Sequence, residues 1–297
     1  MDTLKLGWVI YNGHLGGKKF LDFAEAIKRA ANAHDIKISI IKNNALLAGI
    51  GTDHSILTQE NERPDFVVFS DKDIPLAQQL EAMGLPLFNS SKSIAVCDNK
   101  ILMYQALATA GITIPKTIIA PKIFPGTMPI QLETFEPAIA ELGFPMIVKE
   151  AFGSFGEQVY LIQNREQLHK KIIEIGTEPF VLQEYIQTSH GRDIRINVVG
   201  GKIVASMIRF SKTDFRANVS QGGSMEPYTP TEKEADLAIA AAKAVGTDFA
   251  GVDLLFGEHD EPLVCEVNSN AHIRSIYECT GVDVSQSIIS YIKEVLS

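Results

Sequence analysis

Gly251-Val252-Asp253-Leu254-Leu255-Phe256 and Leu263-Val264-Cys265-Glu266-Val267-Asn268 decide how the chain is read, because they are two apolar strands that carry acids. With Gly257 to Pro262 as the loop and Phe256 facing Leu263, antiparallel pairing sets Asp253 opposite Glu266. Asn268, two residues on, shares the face of Glu266. Opposed carboxylates lie roughly 5 Å apart at Cβ and repel, so on an otherwise apolar hairpin they require a cation. A donor set of two carboxylates and an amide oxygen suits magnesium, with the remaining positions going to water and phosphate. The competing reading is a half-exposed strand whose acid is merely solvated.

The chain has 297 residues, which implies two or three domains packed together rather than one core. We place the boundaries at 1–95, 96–182 and 183–297. A net charge of -9 and a pI near 5.3 argue against a general nucleic-acid binder or an anionic membrane surface as partner. Cys97, Cys265 and Cys279 are few, odd in number and without metal spacing, as in a reducing cytosol. Leu4 to Ile10 is too short for a signal peptide, and no stretch of ~18 apolar residues exists to span a bilayer. The expectation is a soluble, cytoplasmic protein; a homo-oligomer is compatible with all of this.

Leu4 to Ile10 reads as a buried strand, followed by the turn Asn12 to Gly17 and a helix from about Lys18 to His34 with Phe20, Phe23, Ala24, Ile27 and Ala31 on one face. Lys37 to Ile41, Asp65 to Ser70, a helical Asp73 to Met83 and Leu85 to Phe88 continue the alternation, giving a small α/β domain. Its glycines do not spell a dinucleotide fingerprint. Ser91 to Cys97 and Asp98 to Ala110 are helical. Lys100 in the first turn of the second is disfavoured by the helix dipole, which hints at a duty toward phosphate as against an ordinary surface lysine. The prolines of 121–137 mark an irregular connection.

Met146 to Glu150 and Val159 to Ile162 are strands around the glycine-bearing loop Phe152-Gly153-Ser154-Phe155-Gly156-Glu157. This is no P-loop, since no helix opens after it. It is either an ordinary hairpin with an exposed Lys149, or a flap whose backbone N–H groups reach phosphates beside that lysine. After a helix at Arg165 to Ile175, the strand Phe180 to Ile186 has Gln183 and Glu184 near its end, where a strand edge can face an adenine or simply pair. Asp193, Arg195 and Asn197 line one face of the next strand, which turns at Gly200-Gly201 into Lys202 to Arg209. Residues 210–228 form a long polar loop. A helix then opens at Thr229-Pro230-Thr231-Glu232, with Pro at N1 and Glu at N3, and the chain closes on a helix from about Val284 to Leu296.

Taken in order, Asp98-Asn99-Lys100, Val148-Lys149 with its glycine loop, Gln183-Glu184-Tyr185-Ile186, Gly191 to Arg195, Phe215-Arg216-Ala217-Asn218, Gly222-Gly223-Ser224, Gly251-Val252-Asp253 and Glu266 to Ser269 resemble the ATP-grasp superfamily, most closely its RimK- and LysX-like carboxylate-amine ligases. The resemblance runs from about Asp98 to Asp283, with the amino-terminal part matching only in kind, as a Rossmann-like α/β domain before the grasp. It implies an ATP-grasp fold of mixed α/β and α+β class. It also implies ATP between two subdomains, with Lys100, Lys149 and the loop Gly153, Ser154, Phe155 and Gly156 at the phosphates, Gln183 to Ile186 at the adenine and Asp193 near the ribose. Asp253, Glu266 and Asn268 would hold magnesium, or manganese in its place, and Arg209 and Asn218 would face the phosphates or the acyl group. Small-molecule carboxylate and amine substrates would join through an acyl phosphate.

Two departures unsettle the acceptor side. Asn270-Ala271-His272-Ile273-Arg274 stands where the family has a Ser-Pro-Gly-like turn, and Gln221 replaces a frequent basic residue. Arg195, Arg274 and His272 are therefore substrate candidates, Arg274 through its bidentate fork, against the plain reading of a solvated loop. Counting about Gly200-Gly201 puts Arg209 on the face opposite Asp193 and Arg195, so its role requires a bulge or a twist. The competing functions are a nucleotide-binding regulatory or scaffold protein of the same fold and a small-molecule kinase.

Overall fold

The computed structural model describes residues 6–16, 19–52, 54–58, 62–126, 130–153, 156–217 and 222–297. Short apolar runs build the first sheet. Leu6–Tyr11 (β1) is flanked by Lys37–Lys42 (β2) and, past a small hairpin of Leu47–Ala48 (β3) and Ile56–Leu57 (β4), by Phe66–Ser70 (β5), which pairs with Leu87–Phe88 (β6). All pairings in the order β2-β1-β5-β6 are parallel, so both faces need cover. One face takes the helix Lys19–Asn32 (α1), which buries Phe23, Ala24, Ile27 and Ala31; the other takes Ile74–Ala82 (α2) through Leu76, Ala77 and Leu80.

Ser91–Asp98 (α3) leads into Lys100–Thr109 (α4), which Asn99 caps by accepting the N–H groups of Ile101 and Leu102 at 2.9 and 3.3 Å. Lys100 is thus the first helical residue, two residues beyond the start expected at Asp98, and it stays in the first turn. Thr117–Ile119 (β7), the helix Glu136–Leu142 (α5), Met146–Glu150 (β8), Val159–Ile162 (β9), the helix Arg165–Ile175 (α6) and Phe180–Glu184 (β10) then form an antiparallel sheet, β7-β10-β8-β9, packed on α5 and α6. Arg192–Val199 (β11), Lys202–Phe210 (β12), Ser224–Pro227 (β13), Phe249–Phe256 (β14) and Pro262–Asn268 (β15) make the third sheet, ordered β13-β12-β11-β14-β15. Its one face buries α4 and the helix Glu232–Ala244 (α7); the other meets α1, Arg274–Thr280 (α8) and Val284–Leu296 (α9). Buried Asn89 ties the first sheet to the third, donating to the carbonyls of Phe249 and Ser269 at 2.9 Å and accepting from the N–H of Asp248 at 2.6 Å and of Phe249 at 3.1 Å.

Three sequence expectations need correction. The helix expected from Thr229 starts two residues later, because the capping box that satisfies both orphan donors is Thr231 with Glu234. The loop of 210–228 contains a strand, β13, which extends the sheet edge on β12. Arg274 opens α8 instead of lying in a loop. The strand start at Leu4, the helix start at Lys18 and the side chain of Phe20 lie outside the described residues.

Candidate active site

The site forms where the second sheet faces the third. A solvent-connected cleft of about 780 Å³ is lined from one side by Ile147, Lys149, Val159 and Gln183 to Ile186, and from the other by Ser189, Arg192, Asp193, Asp253, Leu255, Cys265 and Glu266. Lys100, Gly156 and the segment Phe215 to Ala217 complete its wall. Charged side chains from both sheets converge on it beside apolar lining from Ile147, Val159, Ile186 and Leu255, the pattern of a ligand cleft.

The acidic hairpin reaches its expected pairing by an unexpected route. The turn is one residue tighter than assumed, so Phe256 pairs with Pro262 and Leu254 with Val264. A register slip beyond Leu254 leaves Cys265 as the extra residue of β15, and Asp253 then faces Glu266 while Gly251 faces Asn268. Gly251 belongs there because a Cβ would stand 2.6 Å from that of Ala271 and 3.6 Å from Nε of Arg195. A second bulge, between Asn197 and Val198, restores Arg209 to a position directly opposite Asp193.

Four of these charges form a closed network. Arg209 holds Asp193 by both carboxylate oxygens at 2.6 and 2.7 Å and reaches Oδ2 of Asp253 at 3.0 Å. Arg195 holds Asp253 in the same bidentate way, at 2.7 and 2.6 Å. Burial would raise Asp253, but Arg195 and Arg209 outweigh it and hold its carboxyl below the ordinary range. Burial pushes Asp193 up, with Arg209 only partly opposing it. Neither arginine lines the cleft; each clamps an aspartate that does.

The lysines supply the positive wall. Lys149 is buried; its Nζ donates to the Tyr104 hydroxyl at 2.8 Å and lies 3.7 Å from the Cys265 sulfur. Tyr104 in turn donates to the Cys265 carbonyl at 2.7 Å, locking the bulge. Burial raises the Cys265 thiol, keeping it neutral beside the ammonium. Lys100 is buried too, 3.9 Å from Glu266, and donates to the Gly153 carbonyl at 3.4 Å. Burial first, then Lys149 and Lys72, lower its pKa against the pull of Glu266. Gly153 sits at φ +152, where a side chain is strained and a Cβ would meet Gln158 at 2.4 Å. Arg216, fixed by Asp214 at 2.8 and 2.9 Å, donates to the Gly156 carbonyl and so joins the loop after β12 to the glycine loop.

Of the residues singled out in the sequence, the cleft gathers Lys100, Lys149, Gly156, Gln183, Glu184, Tyr185, Ile186, Asp193, Asp253 and Glu266. Asn268 follows on the face of Glu266, its Nδ2 on the Gly251 carbonyl at 3.4 Å. Arg274 is turned away: it is exposed and paired with Asp22 of α1 and Glu278 of its own helix, at 2.9 and 2.8 Å. His272, beside it in the chain, is likewise absent from the cleft wall. Ser154, Phe155, Asn218 and Gln221 lie outside the described residues. Sequence reading missed Tyr104 and Cys265, which look like core residues, and gave Arg216 no role.

Among the described residues no three His, Cys, Asp or Glu side chains gather as a metal centre. The available set is two carboxylates in register and an amide, all oxygen donors, which fits a hard divalent cation in kind.

A model of the RimK-like ATP-grasp domain matches residues 97–292. The chain is 38% identical over 226 residues to the probable alpha-L-glutamate ligase 2 of Shewanella amazonensis, covering 75% of this chain and 72% of that one. It is 35% identical over 235 residues to N-acetylaspartylglutamate synthase A of Homo sapiens, covering 77% of this chain but only 58% of that longer protein. The fold of the ATP-grasp ligase PsnB, solved with a precursor variant, Mg and ADP, superposes with a TM-score of 0.70 over 100% of this chain and 99% of that one at 17% identity.

Proposed function

This chain belongs to the RimK-like ATP-grasp family, a family of ligases, and from that premise we propose that it joins a carboxylate to an amine through an acyl phosphate, releasing ADP and phosphate. The observation that carries the reading is the convergence of Lys100, Lys149, Asp253 and Glu266 on one cleft beside the strand end Gln183 to Ile186. ATP would lie with its adenine at that strand end and its phosphates toward the two lysines. Glutamate is the first amine to test, since two relatives carry glutamate in their names.

In this reading the substrate carboxylate attacks the γ-phosphorus, the bond to the β-phosphate oxygen breaks, and ADP departs. The amine then attacks the acyl carbon, loses a proton and expels phosphate. Asp253, Glu266 and Asn268 would hold magnesium, which would supply positive charge to the transferring phosphoryl. Lys100 and Lys149 orient the phosphates, and the fork of Arg209 fixes Asp193, which lines the cleft. The glycine loop, tied down by Arg216 and Lys100, excludes water from an intermediate that water would destroy.

Incubation with ATP, magnesium, glutamate and a panel of small carboxylic acids should release ADP and phosphate for at least one pairing. Release of AMP and pyrophosphate would sink the mechanism, and a phosphorylated product stable without amine would point to a kinase.

A further inference from the structure

Helix α4 meets the acidic strand at three points. Lys100 reaches Glu266 at 3.9 Å, the Met103 sulfur accepts the N–H of Val267 at 3.2 Å, and the Tyr104 hydroxyl donates to the Cys265 carbonyl at 2.7 Å. β15 is the last strand of its sheet, and α4 covers it. The contact at Cys265 bears on aim. Cys265 is the extra residue of the bulge, without a partner residue on β14, and its carbonyl takes a hydrogen bond from Tyr104. A ladder without that bulge would set Cys265 against Asp253 and turn Glu266 to the other face.

The hydroxyl that donates to this carbonyl also accepts. Lys149 gives it an N–H at 2.8 Å, and the same Nζ lies 3.7 Å from the Cys265 sulfur. Fixing two N–H directions of a tetrahedral ammonium fixes the third, and Lys149 lines the cleft. Its flexible four-carbon stem would otherwise leave that direction free. Tyr104 is itself buried, 4% exposed, so no solvent competes for either bond. A tyrosine that merely fills the core would need one partner for its hydroxyl. This one holds two, and they belong to different limbs of the site.

We propose that Tyr104 is a positioning residue of the ligase reaction: its hydroxyl sets the aim of the Lys149 ammonium and holds the register that presents Glu266, so that phosphate binding and metal use depend on one phenol. This role rests on the reading of Lys149 as a phosphate group and Glu266 as a metal ligand.

Calorimetry with adenylyl imidodiphosphate, an ATP analogue that is not turned over, at a series of manganese(II) concentrations tests it in wild type, Tyr104→Phe, Lys149→Met, Glu266→Gln and Tyr104→Phe combined with Lys149→Met. Tyr104→Phe loses only the hydroxyl. It should bind the analogue at least about tenfold more weakly at saturating manganese, and the manganese concentration for half-maximal binding should rise by a similar factor. Adenosine, which carries no phosphate, should bind wild type and Tyr104→Phe alike, because Gln183, which also bears on the hydroxyl, is anchored on the Thr117 hydroxyl at 2.7 Å. A loss of adenosine binding equal to that of the analogue would mean general loosening and refute the proposal. In the Lys149→Met background, loss of the hydroxyl should cost the analogue less than about threefold yet still raise the manganese requirement. An undiminished loss there, or a manganese requirement that does not move, overturns the role of Tyr104 while weakened binding by Lys149→Met and Glu266→Gln upholds the reading beneath it. Wild-type binding by those two variants overturns both. If Tyr104→Phe does not fold, Tyr104→His, whose ring nitrogens end short of the phenol oxygen, takes its place with the same expected and refuting results.

Discussion

Replacing Arg209 by methionine should destabilise the protein by about 3–5 kcal/mol at neutral pH, the cost of leaving a buried charge without its partner. Arg209 is 4% exposed and provides both hydrogen bonds to the Asp193 carboxylate, itself 8% exposed. Methionine fills much of the same volume, so the loss comes from charge and not from a cavity. Asp253 loses only its third contact and keeps the Arg195 fork.

The sign of the pH dependence separates this cause from general loosening. Asp193 in the folded chain is already raised by burial, with Arg209 pulling it down. Without Arg209 it rises further, away from the unfolded value of about 3.9. An acid raised in the folded state carries its full penalty above the folded pKa and none once it is protonated in both states. The deficit of Arg209→Met relative to wild type should therefore be largest at neutral pH and shrink as the pH falls toward about 4. Urea unfolding across that range reads it directly. Adding Asp193→Leu should recover most of the loss, since removing both charges is far cheaper than removing one. A deficit below about 1 kcal/mol, or one that does not change with pH, would refute the argument.

Glu266→Gln should leave the fold intact yet abolish magnesium-dependent turnover, because an amide cannot match the charge a divalent ion requires; unchanged ADP release would remove Glu266 from the site. Lys100 is held low by burial and by Lys149, and polyphosphate should raise it, so nucleotide binding at alkaline pH should take up a proton. Calorimetry in buffers of different ionisation enthalpy measures that uptake, and its persistence in Lys100→Met would assign it elsewhere.

Local chemistry explains what was legible in the chain. The sequence pattern places α1, α6 and α9 nearly to the residue, whereas α4, expected from Asp98, starts at Lys100 because Asn99 caps it. What failed was tertiary in origin. β13 is a mostly polar four-residue edge held extended by its ladder with β12 and by the packing of Met225, neither of which a local pattern announces. Tyr104 is spaced like any core residue of α4, and its hydroxyl acquires meaning only when β8 brings Lys149 to it. Arg274 looked like a substrate clamp because its neighbours depart from the family pattern, but the acids that engage it, Asp22 and Glu278, lie on α1 and one turn along α8.

The two bulges show how far identity and register can be read apart. A slip of one residue sends every side chain of a strand to the opposite face. Counted rigidly from its turn, β12 would point Arg209 away from Asp193, and β15 would set Cys265 against Asp253 in place of Glu266. Each hairpin absorbs one extra residue between turn and site, at Val204 and at Cys265, and both corrections fall in strands adjoining the same charge network. Two offsets of this kind, each needed for an acid to meet its partner, are hard to ascribe to turn geometry alone. They are better understood as positioning features of the site, since bulges re-aim side chains and sharpen twist. The one at Cys265 is also fastened, because the Tyr104 hydroxyl bonds its carbonyl and Lys149 bonds that hydroxyl. The lysine assigned to the phosphates and the bulge that aims the acid are therefore one connected unit, and a change at Tyr104 would disturb both.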